Sequence, residues 1–375
     1  MAKDINKKDF DNATSLKLEI FRESFKEWLP VFIHNPYVSK VFIYDFFAGS
    51  GKDISGAYGS PLILFEEARG ENQMYCSKAI PKNVVFAFNE KIESKSEELK
   101  RNVESFELEC LNNCQRHKCV YDYHIGNYDF KEAFNRKTVI DILNNKNYGK
   151  FVLLDQYGFK EVDNEVFKRL VSAPKTDFIF FISSSFIKRF REHASVKKYI
   201  ETNKINFDEA QPKECHRIVA QYFNSLIPQN QEYYLHHFTI KKGTNYYGLI
   251  FGTNHTFGME KFLKVCWQKD VLAGEANFDI NNDYQLGTLF YTEENTNKIE
   301  KYSDELKQKI VSKEITNNIE ALKFTLRSGI QPKVYVDKIE ELIRIQKIEI
   351  NGNFNKRAAN IHKLSAKETY GFVIK

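Results

Sequence analysis

Short apolar runs separated by helix-period stretches organise the first two thirds of the chain. Residues 14–33, TSLKLEIFRESFKEWLPVFI, place Leu18, Phe21, Phe25, Trp28 and Leu29 at helical spacing, with Thr14 or Ser15 as the expected N-cap. The apolar run VFIYDF follows, then a glycine-bearing turn and a second turn, Gly56-Ala57-Tyr58-Gly59-Ser60-Pro61. Ser60 before Pro61 reads as an N-cap with proline at the first helical position of PLILFEEAR. Further strands are expected at NVVFAFNE (83–90), CVYDYHIG, KFVLLDQ (150–156) and TDFIFFISS. Helices are expected at KIESKSEELKRNV, around 129–145 and at 163–172. Buried strands alternating with helices predict an α/β protein with a Rossmann-like parallel sheet and helices on both faces.

Beyond residue 212 the pattern changes. HHFTIKKG and YYGLIFGTNH alternate as an antiparallel pair closing the sheet would, with the helix GMEKFLKVCWQK between or after them. Three helical patterns, SDELKQKIVSK, TNNIEALKFTLRSG and KVYVDKIEELIRIQK, precede IEINGNF, a turn and a last apolar stretch. Helix, helix, helix and hairpin is the order of a winged-helix module. The expected division is therefore 1–300 for the α/β domain, with a cysteine-bearing insertion near 105–120, and 301–375 for the C-terminal module.

Charge adds one feature to this picture. Residues 300–375 carry fifteen Lys and Arg against ten Asp and Glu, which accounts for the whole formal charge of +5. A local basic cluster, Lys188, Arg189, Arg191, Lys197 and Lys198, follows the fifth expected strand. Both suit phosphate backbones, although a solvated basic face is the commoner meaning of such clusters. Aromatic content is 14%, spread through the chain. The polar amino end MAKDINKKDFDNATS does not read as a secretory signal. No apolar run has the length of a membrane span, and a cytoplasmic protein is expected.

The candidate chemistry lies at the strand ends. In an open α/β sheet a ligand sits beyond the carboxyl ends of the strands, where glycines let it approach the backbone. Gly49 and Gly51 in YDFFAGSGKD meet that need. The dinucleotide fingerprint fails, because Ile54 stands three residues after Gly51. The phosphate-loop pattern fails at Asp53. Polar residues then end successive strands: Asp45, Glu90, Asn127 with Asp129, and Asp155. In a nucleoside-binding domain the acid after the second strand holds the ribose hydroxyls, and a polar residue after the third reads the adenine. Each residue alone reads equally well as a helix N-cap, and it is their order along the strands that favours a pocket.

Asp-x-Phe-Ala-Gly-x-Gly is similar to the cofactor loop of class I S-adenosylmethionine-dependent methyltransferases. The set TSLK, the helix ending in Trp28, YDFFAGSG, GSP and LLDQYGF more closely resembles the three-Cys-motif partner protein family, over roughly residues 14–270. Proteins of that family are methyltransferase-like, typically bacterial, and often encoded beside a protein carrying the three-cysteine motif. The resemblance implies that Asp45, Phe46, Ala48, Gly49 and Gly51 line the methionine part of S-adenosylmethionine. It puts Glu90 on the ribose, Asn127 or Asp129 on the adenine, and Asp155-Gln156-Tyr157-Gly158 at the catalytic strand end. Amino-methyltransferases read Asp/Asn-Pro-Pro-Tyr/Phe there. The carboxylate orients an amine and the ring stacks on a base. Here Gln156 stands in place of proline, Tyr157 comes one residue early, and the stiffening prolines are missing.

The expected function is methylation of a nucleic acid, with a base nitrogen favoured and Lys188, Arg189 and Arg191 on the phosphates. The alternative is a cofactor-binding subunit without transfer activity that partners the three-cysteine protein, in phage defence. Methylation of a protein or small molecule is a third reading. Six cysteines are present. Cys110, Cys114 and Cys119, with His117 between them and Cys76 as a fourth ligand, form a lesser candidate for zinc. The spacing lacks paired C-x2-C knuckles, so no metal is expected. His236, His237 and His255 read as structural. Ser183-Ser184-Ser185 lacks a G-x-S-x-G elbow and is expected at the pocket rim opposite Asp155.

Overall fold

A computed structural model describes residues 8–114, 118–207, 211–282, 297–354, 361–362 and 368–375. Seven strands form one sheet: β1 (Lys40–Asp45), β2 (Val84–Asn89), β3 (Asp122–Gly126), β4 (Tyr148–Leu154), β5 (Thr176–Ile182), β6 (Tyr234–Lys242) and β7 (Asn245–Thr253). Their order is β3-β2-β1-β4-β5-β7-β6. The first five run parallel, and β7 enters antiparallel to β5, pairing Phe178 with Gly252. This is the expected methyltransferase-type Rossmann-like sheet, closed by the expected antiparallel pair. The helix Thr256–Lys269 comes after that pair, not between its strands.

The central strands read as unbroken apolar runs because both faces are covered. Behind the sheet, the N-terminal helix Asn12–Ile33 lays Phe25 and Trp28 on Phe151, with ring centroids 5.5 and 5.1 Å away. Trp28 Nε1 also donates to the buried carboxylate of Asp177 at 2.8 Å. On the other face Phe46 meets Phe130 and Phe134, each at 5.6 Å. Order reverses at β1, which pairs with β2 on one side and β4 on the other. Registers of Asp45 with Phe88 and with Leu153 bring the ends of β1, β2 and β4 level, so the loops after them share one edge.

Two of the expected caps differ. The first helix begins at Asn12, and Asp11, not Thr14 or Ser15, caps it by accepting from the Thr14 N–H at 2.9 Å. Ser60 is the first residue of the helix Ser60–Arg69, after Gly59, because its hydroxyl is drawn to Asp45 at 2.6 Å. The helical stretch at 129–145 divides into Phe130–Asn135 and Lys137–Asn144 where Arg136 adopts an extended backbone.

The chain separates into two compact units, residues 1–233 with 239–254, and residues 234–238 with 255–375. The boundary expected at residue 300 falls inside the second. Described by itself, the second unit contains the helices Lys298–Val311, Asn318–Arg327 and Pro332–Arg344, followed by the antiparallel strands β8 (Ile348–Asn351) and β9 (Gly371–Ile374). Asn318 ties these together, its side chain accepting from Tyr370 N–H at 2.9 Å. No helix among the described residues is long and apolar enough to cross a membrane.

Candidate functional site

Asp45 ends β1 with no solvent exposure. One carboxylate oxygen accepts from the Phe47 N–H at 3.1 Å and the other from Ser60 Oγ at 2.6 Å. Burial pushes its pKa up to about 7, against those hydrogen bonds, and the charges of Asp155 and Glu90 add to the rise. The side chain therefore braces the loop from beneath. Phe46 is also buried, in the ring cluster of Phe130 and Phe134.

The loop itself is held from three sides. Ala48 N–H donates to Asn89 O at 3.0 Å and Gly49 N–H to Glu90 Oε2 at 3.0 Å. Asn102 Nδ2 donates to Ser50 O at 2.7 Å. Gly49 and Gly51 have φ values of 60° and 83°, where side chains are strained. Only Gly49 is partly open to solvent. Gly51 is buried, and a Cβ there would lie 3.0 Å from Leu99 Cδ1. Its carbonyl accepts from Gly59 N–H at 2.8 Å, which explains the second glycine turn.

The β2 and β3 ends are joined to this loop. Glu90 Oε1 accepts from Ile92 N–H at 2.8 Å, fixing the carboxylate beside Gly49. Asn127 Nδ2 donates to the carbonyls of Glu90 and Lys91 at 2.7 and 3.0 Å. Asp129 caps the helix Phe130–Asn135 through Lys131 N–H at 3.0 Å and pairs with Lys91 at 2.7 Å, which lowers its pKa. Asn89 was not anticipated. It brackets Tyr128 by donating to its carbonyl at 3.0 Å and accepting from its N–H at 3.2 Å.

At the end of β4, Asp155 meets an unanticipated partner. Lys17 Nζ, from the N-terminal helix, lies 2.7 and 2.5 Å from its two carboxylate oxygens. Gln156, expected at the catalytic strand end, turns inward instead and is 1% exposed. Its Oε1 accepts from the N–H groups of Glu161 and Val162 at 2.9 and 3.2 Å, and its buried Nε2 has no partner among the described residues. Gly158 O accepts from Ser183 N–H at 2.9 Å. These bonds stiffen the turn where the prolines are missing. Tyr157 is 73% exposed. Asp155, Gln156 and Tyr157 border a cavity of about 360 Å³ whose other walls include Phe10, Lys17, Phe181 and Tyr247.

The basic cluster follows β5, while Ser184 turns into the core rather than to the expected pocket rim. Lys188 and Arg189 lie on the short helix Ser184–Arg189 after β5, with Arg191 just beyond it. Arg189 donates to Asn245 Oδ1 at 3.1 Å, and Arg191 stands 3.8 Å from Glu192. Of the serine run, Ser184 Oγ lies 2.8 Å from His216 Nδ1, and His216 Nε2 lies 3.2 Å from Leu249 O. Both side chains are wholly buried, and burial lowers the His216 pKa to about 4, so the pair is a core contact. Cys76, Cys110, Cys114 and Cys119 border one small cavity of about 30 Å³. Burial raises the Cys119 pKa. Among the described residues no three His, Cys, Asp or Glu side chains are grouped as a metal would require, and His117 lies outside the described residues.

The chain matches no protein-family model and no curated protein sequence. Among solved structures it is similar to Trm1 from Pyrococcus horikoshii in complex with S-adenosyl-L-methionine, with a TM-score of 0.37 and 13% identity over 68% of this chain and 59% of that one. A putative methyltransferase, yhhF from Escherichia coli, gives 0.28 and 14%, over 63% and 86%. M. jannaschii TYW2 in complex with AdoMet gives 0.29 and 12%, over 66% and 78%. The chain thus spans under two thirds of the length of Trm1. The fold class rests on the strand order rather than on these likenesses.

Proposed function

We propose that the first unit binds S-adenosylmethionine at the shared edge of β1, β2 and β3 and transfers its methyl group to a nucleic acid, with a base nitrogen favoured. The observation that carries this reading is the direct bond between the Gly49 N–H and the Glu90 carboxylate, one strand away from Asp155 at the open cavity. The residues fit such a cofactor. Gly49 leaves the loop surface free of a side chain. Glu90, whose carboxylate has four lone-pair sites and spends two on backbone N–H groups, retains acceptor capacity for ribose hydroxyls. Asn127 or Asp129 lies where an adenine would be read.

When bound, the cofactor supplies an electrophilic methyl group on a sulfonium sulfur. Asp155 accepts a hydrogen bond from the N–H of the acceptor and so orients the nitrogen lone pair. The exposed ring of Tyr157 offers a stacking face to a base. Lys188, Arg189 and Arg191 take the flanking phosphates, and the C-terminal module, read as a winged helix carrying the excess positive charge, adds a second contact to the backbone. Calorimetry with S-adenosylmethionine and its demethylated product tests the cofactor. Transfer of labelled methyl to DNA, tRNA or rRNA, lost in Asp155→Ala, tests the reaction. Absence of micromolar binding for both ligands would refute the reading.

One observation favours a second role. Gln156 is committed to its own turn and the stiffening prolines are missing, as in a site that binds without turning over. A cytoplasmic cofactor-binding subunit that partners a three-cysteine protein, in phage defence, is supported if the cofactor binds tightly and no pool is methylated.

A further inference from the structure

Lys17 is a lysine on an apolar helix face. Leu18, Phe21, Phe25 and Trp28 already dock that helix, and all are buried. Yet the Lys17 side chain is only 9% exposed and that of Asp155 12%, 138 residues apart in sequence. Withdrawing both charges from water is costly, and an apolar pair of similar size would hold the helix as well. The pair does not lie in the closed core. Both residues border the cavity at the end of β4, with the ammonium 4.9 Å from the centre of the Phe181 ring. An ammonium has three N–H donors. Two are spent on the two oxygens of Asp155, and the third has no partner among the described residues.

We propose that Lys17 is a positioning residue of the methyl-acceptor site: by gripping both oxygens of Asp155 it fixes the direction in which that carboxylate meets the acceptor. The proposal rests on the methyltransferase reading above. It supplies what the sequence of the turn lacks. Gln156 stitches the backbone after Asp155, but among the described residues only Lys17 holds the carboxylate itself against rotation. The cavity then offers a donor beside an acceptor, the complement of a nucleobase edge that carries a lone pair next to an N–H.

The test measures methyl transfer by the full chain from labelled S-adenosylmethionine to whichever nucleic-acid pool the wild type methylates. Each variant is assayed below its own melting temperature. Lys17→Met is expected to lower kcat at least thirtyfold while leaving the cofactor Kd within twofold. Lys17→Arg keeps the charge and the fold but changes the grip. It is expected to lose at least tenfold in kcat at an unchanged melting temperature, since a displacement of about 1 Å costs on the order of 100-fold. Wild-type kcat in folded Lys17→Met, or in Lys17→Arg where the Met variant does not fold, overturns the proposal. A wild type that binds cofactor but labels no pool overturns the methyltransferase reading itself, an outcome distinct from an active wild type matched by an active Lys17→Met.

Discussion

Gly49 donates its backbone N–H to Glu90 Oε2 over 3.0 Å, joining the loop after β1 to the first residue after β2. The same carboxylate also holds the Ile92 N–H at 2.8 Å, so its position is set before any ligand arrives. Glu90→Ala removes the acceptor and frees the loop. It is expected to weaken S-adenosylmethionine binding at least tenfold, read by calorimetry, with little change in melting temperature, because Glu90 is only partly buried.

Asp45 predicts an unusual pH dependence. Its pKa is raised from 3.8 to about 7, chiefly by burial. Below pH 4 the carboxyl is neutral in both folded and unfolded chains and imposes no penalty. Between pH 4 and 7 only the unfolded chain ionises, so stability falls as pH rises, by on the order of 4 kcal/mol for about three pKa units. Urea unfolding of Asp45→Asn across that range is expected to show a flatter profile than the wild type. An identical profile would show that Asp45 does not titrate in this way. Asp177, raised to about 6 by burial, acts in the same direction and remains in the variant.

Gln156→Ala separates a structural glutamine from a catalytic one. Two backbone N–H groups lose their acceptor, for a destabilisation of about 1–3 kcal/mol. Thermal unfolding is expected to show the loss, while calorimetry finds the cofactor affinity within twofold of wild type. A variant with unchanged stability and abolished transfer would return Gln156 to the catalytic set.

Gly248 is fixed by His216 on the helix Cys215–Ser225, which packs against its strand. A Cβ at that position would lie 2.0 Å from His216 Nε2, inside a wholly buried contact. Gly248→Ala is therefore expected to destabilise by roughly 1–3 kcal/mol, as forced overpacking does. The double variant His216→Ala/Gly248→Ala, which vacates the ring, should recover part of that loss in chemical denaturation.

The strands and their order of chemistry were legible from residue pattern because they depend on near neighbours. An apolar run covered on both faces can be read in six residues, as in VFIYDF and KFVLLD. Gly49 and Gly51 mark backbone angles that other residues avoid, and that too is a local property. The caps were less secure. Asp11 competes with Thr14 and Ser15 for the first helix. Ser60 is diverted by Asp45, fifteen residues earlier in sequence and adjacent only in the fold.

The sequence by itself determined the alternation of strand and helix, the glycine loop and the row of polar strand ends, because each is written in a short window whose geometry the backbone dictates. Which side chains face one another was decided only by tertiary structure. Lys17 looked like one lysine in a helix and proved to be the partner of Asp155. Phe46 and Asp45 looked like cofactor contacts and lie beneath the loop, while Gln156, at the cavity it was expected to serve, spends its carbonyl oxygen on its own turn. The physical reason is the same in each case. Burial makes an unpaired charge or amide expensive, and the partner that relieves it is chosen by distance in space, on which spacing along the chain is silent.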